Sequence, residues 1–468
     1  MNPSLRSYWI ALFCLASLLP QAVSAADYEK KPQDPYFAKF NPRLAPAPGP
    51  LLLQANDRLA IVGDSITEQK MYSRIMETYL TVCVPQLKVS VRQVGWSAET
   101  AEGFRKRMQQ DCLSFKPTIA TFAYGMNDSK YRPYDQNNGE WYASNYTAIV
   151  RAFKEAGARV VLGTPGSLGT LNKARVISGS VAPSGTLDER NLNLCAMRDL
   201  DIEIAERENV RVADVFWPML QAAWEGENRY GNGNAISAVP RADGLQTNLG
   251  TGTNKPFALC GSDGLHPNWS GHLAMARCFL RALGLDGDIG IFTVDLQGGH
   301  AEASDGHKVD SFANGELTLT STRYPFCDGG ATNDGKTIRA GMSLIPFNQE
   351  LNRLTLVVKN IGAPRCQVIW GPTTNTYTSE QLAAGVNLAD DFADNPFSEA
   401  FGNVDKAVAA KQVYETRQIK TEFHPRGGMQ NFSEVVDRTE AVRAPLVDAI
   451  RQAFVPVQHV IRLVPVKE

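Results

Sequence analysis

Four short polar clusters carry the side chains that could do chemistry. Ser65, in Gly63-Asp64-Ser65, closes the apolar run Leu59 to Val62, and Gly95 follows Val91 to Val94. Asn127, in Gly125-Met126-Asn127-Asp128, follows Thr118 to Tyr124, and Asp263 and His266 share the stretch Asp263-Gly264-Leu265-His266-Pro267. A serine attacks an acyl carbon only when a base takes its proton, and His266 titrates near working pH. Asp263, one turn earlier, can hold the second imidazole nitrogen and stabilise the imidazolium that forms. The backbone N–H groups of Ser65 and Gly95 and the side-chain amide of Asn127 would then converge on the developing oxyanion. An aspartate in place of Asn127 would repel that charge.

Such residues need strands that end at one edge. Strand-like stretches at Leu59 to Ser65, Val89 to Val94, Thr118 to Tyr124, Arg159 to Gly163 and Val210 to Phe216 alternate with helical periodicity. Met71, Ile75 and Tyr79 give one helix its apolar face, and Tyr142, Tyr146, Ile149 and Phe153 give another. The pattern predicts a mainly parallel, doubly wound α/β sheet between helical layers, with the first three clusters at its strand ends. Two interruptions, Gly166 to Gly185 and Trp224 to Ser262, read as long polar loops. The second leads directly into Asp263 and is expected to face substrate.

After the helix at Gly271 to Leu283 the texture changes. Ile289 to Leu296, Glu316 to Thr320, Leu351 to Val358, Gln367 to Trp370 and Val457 to Val464 read as strands, with helical faces at Phe397, Phe401, Val404 and Val408 and near Val447 to Phe454. Pro445 suggests a helix start or kink. Residues 287–468 are therefore expected to form a β-rich domain with a helical portion.

The chain of 468 residues is 43% hydrophobic and 21% charged, which favours two or three globular domains. Lys+Arg 47 against Asp+Glu 49 gives no reason to expect nucleic acid or an anionic membrane as partner. Arg6, the apolar stretch Tyr8 to Leu19 and Val23-Ser24-Ala25 read as a signal peptide over residues 1–25. That core is too short to span a bilayer, so an exported protein, periplasmic or secreted and of bacterial type, with no stable membrane anchor is expected. The proline-rich residues 26–56 read as an extended lead-in outside the core. Eight cysteines less Cys14 leave seven, Cys83, Cys112, Cys195, Cys260, Cys278, Cys327 and Cys366, open to disulfide pairing or to simple burial. No CxxC pair or histidine cluster suggests a metal.

Taken together and in this order, the four clusters resemble those of the GDSL or SGNH hydrolases, over about residues 57–286. The resemblance implies a flavodoxin-like three-layer α/β/α sandwich, no cofactor, and esterase or acylhydrolase activity through an acyl-enzyme. It assigns Ser65, Asp263 and His266 to catalysis and Ser65, Gly95 and Asn127 to the oxyanion hole. Here the first block reads Gly-Asp-Ser-Ile, and Thr67 stands where the Gly-x-Ser-x-Gly elbow of ordinary α/β-hydrolases has its second glycine. Trp96, Tyr124, Tyr131 and Trp269 adjoin the clusters and are candidates to line a substrate pocket. His272, His300, His307, His424 and His459 have no partner motif.

A small-molecule or polysaccharide ester is the expected substrate, with short acyl groups, acetyl above all, on carbohydrate favoured. A lipase or lysophospholipase would want an apolar lid where residues 224–262 are Gly/Asn-rich and polar. A non-catalytic carbohydrate-binding protein would not need Ser65, Asp263 and His266 together.

Overall fold

The structure is a computed structural model describing residues 27–169, 183–230, 258–261, 263–327, 329–332, 334–426 and 431–467. Residues 1–26, where a signal peptide is expected, most of Gly166 to Gly185 and residues 231–257 lie outside the described residues.

Five strands, β1 (Arg58–Gly63), β2 (Ser90–Gly95), β3 (Ile119–Ala123), β4 (Arg159–Gly163) and β5 (Arg211–Ala213), form an all-parallel sheet in the order β2-β1-β3-β4-β5. That is the flavodoxin-like order, whose switch point lies between β1 and β3. The sequence writes it as near-continuous apolar runs, because a parallel sheet is covered on both faces. Ile61, Val91, Ile119 and Val161 pack in one buried cluster, whereas Val62, Val94, Phe122 and Leu162 pack in the other. The first cluster takes up α2 (Tyr72–Val82), α6 (Phe216–Tyr230) and α7 (Trp269–Ala282). The second takes up α3 (Ala101–Asp111), α4 (Gln136–Glu155) and α5 (Leu187–Glu208). A one-turn helix, α1 (Ser65–Glu68), follows β1 directly.

Expected and observed elements differ in places for identifiable reasons. The fifth strand stops at Ala213 because Phe216 already opens α6, and Trp224, expected in a loop, lies inside that helix. The lead-in is not peripheral: Phe37, Phe40 and Leu53 are 2%, 0% and 4% exposed. Asp34 caps a short 3-10 turn at Pro35–Lys39, and Tyr36 stacks on Trp224 at 3.8 Å. Aromatic residues set between the prolines thus cover α6.

The C-terminal region is β-rich. One sheet runs β13 (Val386–Asn387), β10 (Arg353–Lys359), β6 (Asp288–Asp295), β7 (His300–Ala303), with only β6 and β10 parallel. The other is antiparallel throughout, β12 (Thr373–Thr378), β11 (Arg365–Trp370), β14 (Val457–Val466), β9 (Glu316–Ser321), β8 (His307–Ala313). Four short helices, α8 (Ile338–Leu344), α9 (Phe347–Leu351), α10 (Ser379–Ala384) and α11 (Leu388–Asp391), precede the long α12 (Ser398–Arg417) and α13 (Phe432–Ala453). Pro445 lies inside α13 and does not start it. His307 and His459, without a motif in the sequence, are core residues joined through Ser321 Oγ at 2.7 and 2.9 Å. The seven cysteines from Cys83 to Cys366 are buried thiols, with no disulfide among the described residues. No helix among them is long and apolar enough to cross a membrane.

α12 and α13 lie against the edge strand β2. Edge strands leave one row of backbone groups unpaired. Here side chains satisfy two groups of that row: Lys411 Nζ and Arg443 Nη2 donate to Val91 O at 2.6 and 2.9 Å, and Glu415 Oε2 accepts from Gln93 N at 3.1 Å. Lys411 and Arg443 both pair with Glu415, at 2.9 and 2.7 Å. Ions substitute for a sixth strand.

Candidate active site

All four clusters meet at the C-terminal edge of the parallel sheet. Asp64, at the end of β1, caps α1 by accepting from Ile66 N at 2.9 Å. Ser65 is therefore released from capping, and its Oγ lies 2.8 Å from His266 Nε2. His266 Nδ1 lies 2.6 Å from Asp263 Oδ2. Asp263 Oδ1 accepts from Leu265 N and His266 N at 2.9 and 3.0 Å, which fixes the carboxylate against the imidazole.

These bonds set the protonation states. Burial would raise the Asp263 carboxyl, but the imidazole and the two backbone donors hold it down to about 2. An ionised Asp263 only accepts, so Nδ1 carries the proton and Nε2 is left to accept from the Ser65 hydroxyl. The same hydrogen bond raises the His266 pKa above the ordinary imidazole value, against partial desolvation.

A small loop presents this pair. Gly261 N donates to His266 O at 2.7 Å, Cys260 pairs with Pro267 as an isolated bridge, and Gly264 turns at φ 68. The Asn268 amide, which matches a glycosylation acceptor pattern in the sequence, is engaged inside this loop, donating to Ala258 O at 2.9 Å and Cys260 O at 3.2 Å.

Gly95 ends β2 where a Cβ would sit 2.7 Å from Gln93 Nε2 and closer still to the Glu68 backbone nitrogen. Only glycine fits between β2 and α1. Asn127 follows β3, and its amide orientation is fixed: Oδ1 accepts from Tyr131 Oη at 2.6 Å, while Nδ2 donates to Glu99 O at 3.0 Å and Asp64 Oδ2 at 3.2 Å.

Of the candidate pocket residues, Tyr124 is corrected. It is 1% exposed, packs with Phe104 and Tyr146, and donates to Glu99 Oε2 at 2.7 Å, so it belongs to the core. Tyr131, at 2% exposure, lies behind Asn127. Trp269 opens α7 half-buried beneath the Arg74 guanidinium. Trp96 stands half-buried next to Gly95, with Arg107 5.1 Å from its ring centre.

Several residues of the site were not singled out from sequence. Asp128 is fully buried and binds Ala101 N and Gly125 N at 2.9 and 3.0 Å, tying the Asn127 loop to the start of α3. Burial pushes both Asp64 and Asp128 up to about 7 against their backbone hydrogen bonds. Arg107 grips Glu99 through two contacts of 2.6 Å and reaches Val94 O at 3.1 Å, which stiffens the end of β2. The signal for Asp64 and Asp128 was their place within the clusters, which capping and packing explain equally well, and Arg107 carries no such signal.

Residues 61–274 match the GDSL-like Lipase/Acylhydrolase family. No curated protein matches the chain. Among solved structures, a gut microbial diltiazem-metabolizing enzyme is similar over 90% of this chain and 100% of that one, with TM-score 0.67 and 20% identity. The shared fold thus extends through the C-terminal region. An acetylxylan esterase from Geobacillus stearothermophilus covers 50% of this chain and 97% of its own at TM-score 0.36 and 19% identity. An alpha/beta hydrolase enzyme from the metagenome of Lake Arreo, Spain, covers 50% and 98% at TM-score 0.35 and 18% identity.

Proposed function

From a chain whose residues 61–274 form a GDSL-like lipase/acylhydrolase domain, we propose an exported serine esterase that removes short acyl groups, acetyl above all, from carbohydrate. The observation that carries the reading is the unbroken chain Ser65 Oγ to His266 Nε2 at 2.8 Å and His266 Nδ1 to Asp263 Oδ2 at 2.6 Å. Ser65 attacks the ester carbonyl as His266 takes its proton, and the imidazolium forms against the ionised Asp263. His266 then gives that proton to the leaving alcohol. Water, activated the same way, cleaves the acyl-enzyme.

The N–H groups of Ser65 and Gly95 and the amide of Asn127 receive the oxyanion. Residues 57–286 hold this chemistry, and residues 287–468 act as an accessory region. The substrate class is supported by the near-neutral charge, by the secretory pattern of residues 1–25 and by the polar composition of residues 224–262.

Assays of short- and long-chain nitrophenyl esters beside acetylated oligosaccharides test the reading. Turnover of the short ester and of the sugar acetate is expected. A preference for long acyl chains would replace the sugar-ester reading by the lipase alternative, and inertness toward every ester would remove the esterase reading.

Asn127→Ala should lower kcat by about 10²- to 10³-fold with KM little changed, because the lost donor acts on charge present only in the transition state. A rise in KM at constant kcat would assign Asn127 to ground-state binding instead.

The pH profile follows from His266. Its neutral form is the base and its pKa is raised, so the acidic limb of kcat/KM should fall above pH 6.5, with activity rising as pH increases through it. In Asp263→Asn the residual activity should show that limb displaced downward. An unmoved limb in that variant would assign it to another group.

A further inference from the structure

One segment from outside residues 61–274 reaches the site. α12 runs into a π-helical turn at Gln418–Phe423, a conformation that recurs at functional sites. Its Ile419 and Phe423 are buried in the cluster that holds Val94 and Phe104. Lys420, between them, turns to the active-site edge. Its Nζ lies 2.9 and 3.0 Å from the two Glu68 carboxylate oxygens and 5.4 Å from the centre of the Trp96 ring.

Glu68 closes α1, the turn that Ser65 opens, and its Oε2 accepts from both the N–H and the hydroxyl of Ser97 at 2.5 Å. The turn from Gly95 to Ser97 is thereby tied to Ser65's own helix. It needs the tie, since Ala98 sits at φ 60, a left-handed conformation that persists only where its surroundings enforce it. His424, just past the π turn, meets Trp96 edge-on at 5.2 Å and places Nε2 2.7 Å from Asp111 Oδ2. Asp111 in turn accepts from Arg107 at 3.1 Å.

We propose that Lys420 is a positioning residue of the hydrolytic site: by holding the Glu68 carboxylate it fixes Ser97 and hence the Gly95 N–H aimed at the oxyanion. The C-terminal region then completes the machinery instead of merely packing on it. Partial burial of both partners, 31% and 18% exposed at the side chain, keeps solvent and salt from loosening the pair. Without the ammonium, Glu68 turns toward water and the Gly95 turn loses one of its restraints, leaving that of Arg107 on Val94 O. This role rests on the esterase reading above.

The test uses the full chain with wild type, Ser65→Ala, Lys420→Met and Lys420→Arg. Misplacing a preorganised donor by a fraction of an ångström costs rate rather than binding, so Lys420→Met should lower kcat for nitrophenyl acetate about 10-fold with KM within about twofold. Capture of Ser65 by a fluorophosphonate should slow in parallel, and Lys420→Arg should restore most of both rates. A Lys420→Met variant within about twofold of wild type in kcat would overturn the role, as would a loss expressed in KM alone or a loss that arginine does not rescue. The controls separate the two claims. Wild-type turnover that vanishes in Ser65→Ala leaves the esterase reading standing, and the lysine variants then judge positioning alone. A wild type inert to ester and fluorophosphonate removes both.

Discussion

Replacing Ser65 by alanine should abolish ester hydrolysis, with kcat falling on the order of 10⁴- to 10⁶-fold. In the proposed mechanism the substitution removes the attacking oxygen, and the other hydroxyl of α1 is not free to replace it: Thr67 Oγ1 is buried against Tyr72 Oη at 2.8 Å. The backbone N–H groups and Asn127 remain, so a residue of rate enhancement over water should survive through oxyanion stabilisation alone. Stability should change little, because Asp64 and not Ser65 caps α1. Retention of more than about a tenth of the wild-type rate would mean that the nucleophile lies elsewhere.

The largest expected effect on stability lies at the edge of the sheet. Glu415→Ala should destabilise the protein by about 3–5 kcal/mol, as removal of one member of a buried charge cluster does. Glu415 is fully buried. Although burial opposes its ionisation, Lys411, Arg443 and Arg92 hold its carboxyl below the usual range. Its loss would leave the Lys411 ammonium, 1% exposed, with Glu77 Oε1 at 2.9 Å as its remaining carboxylate partner, remove a carboxylate from Arg443, and leave Gln93 N without its acceptor. Glu415→Gln keeps an acceptor for Gln93 N and should cost less. Denaturant unfolding of the three proteins measures the difference, and a cost below about 1 kcal/mol for the alanine variant would show that the cluster does not cap the edge.

The contrast between these two sites explains what the sequence made legible. A parallel strand buried on both faces must be a short apolar run, and a side chain that works at its end must be small or polar. Hence β1 to β4 and the clusters at Ser65, Gly95 and Asn127 could be read without a structure. The edge-capping ions could not. Lys411, Glu415 and Arg443 sit on helices whose charge pattern resembles a solvated face, and only the strand order reveals that β2 has no second neighbouring strand. α13 was recognised only near its end because it buries just Thr439 and Ile450, too few positions for an apolar period.

β8 and β12 escaped notice for a related reason. Their sequences, HKVDSFA and TTNTYT, bury one residue each, so no apolar alternation marks them. Tyr124 misled in the opposite direction. An aromatic beside a motif looks like a pocket wall, yet its hydroxyl is committed to buried Glu99. Lys420 lies more than 300 residues from its partner Glu68 along the chain, and no local pattern marks such a pair.

Fluorophosphonate treatment of the full-length protein, followed by peptide mapping, tests the central claim most directly. An activated serine is phosphonylated in proportion to its activation. One adduct per chain is expected, on the peptide bearing Ser65, absent from Ser65→Ala and strongly slowed in His266→Gln. Labelling at any other residue, or an adduct on Ser65 that forms as fast without His266, would contradict a Ser65–His266–Asp263 hydrolase.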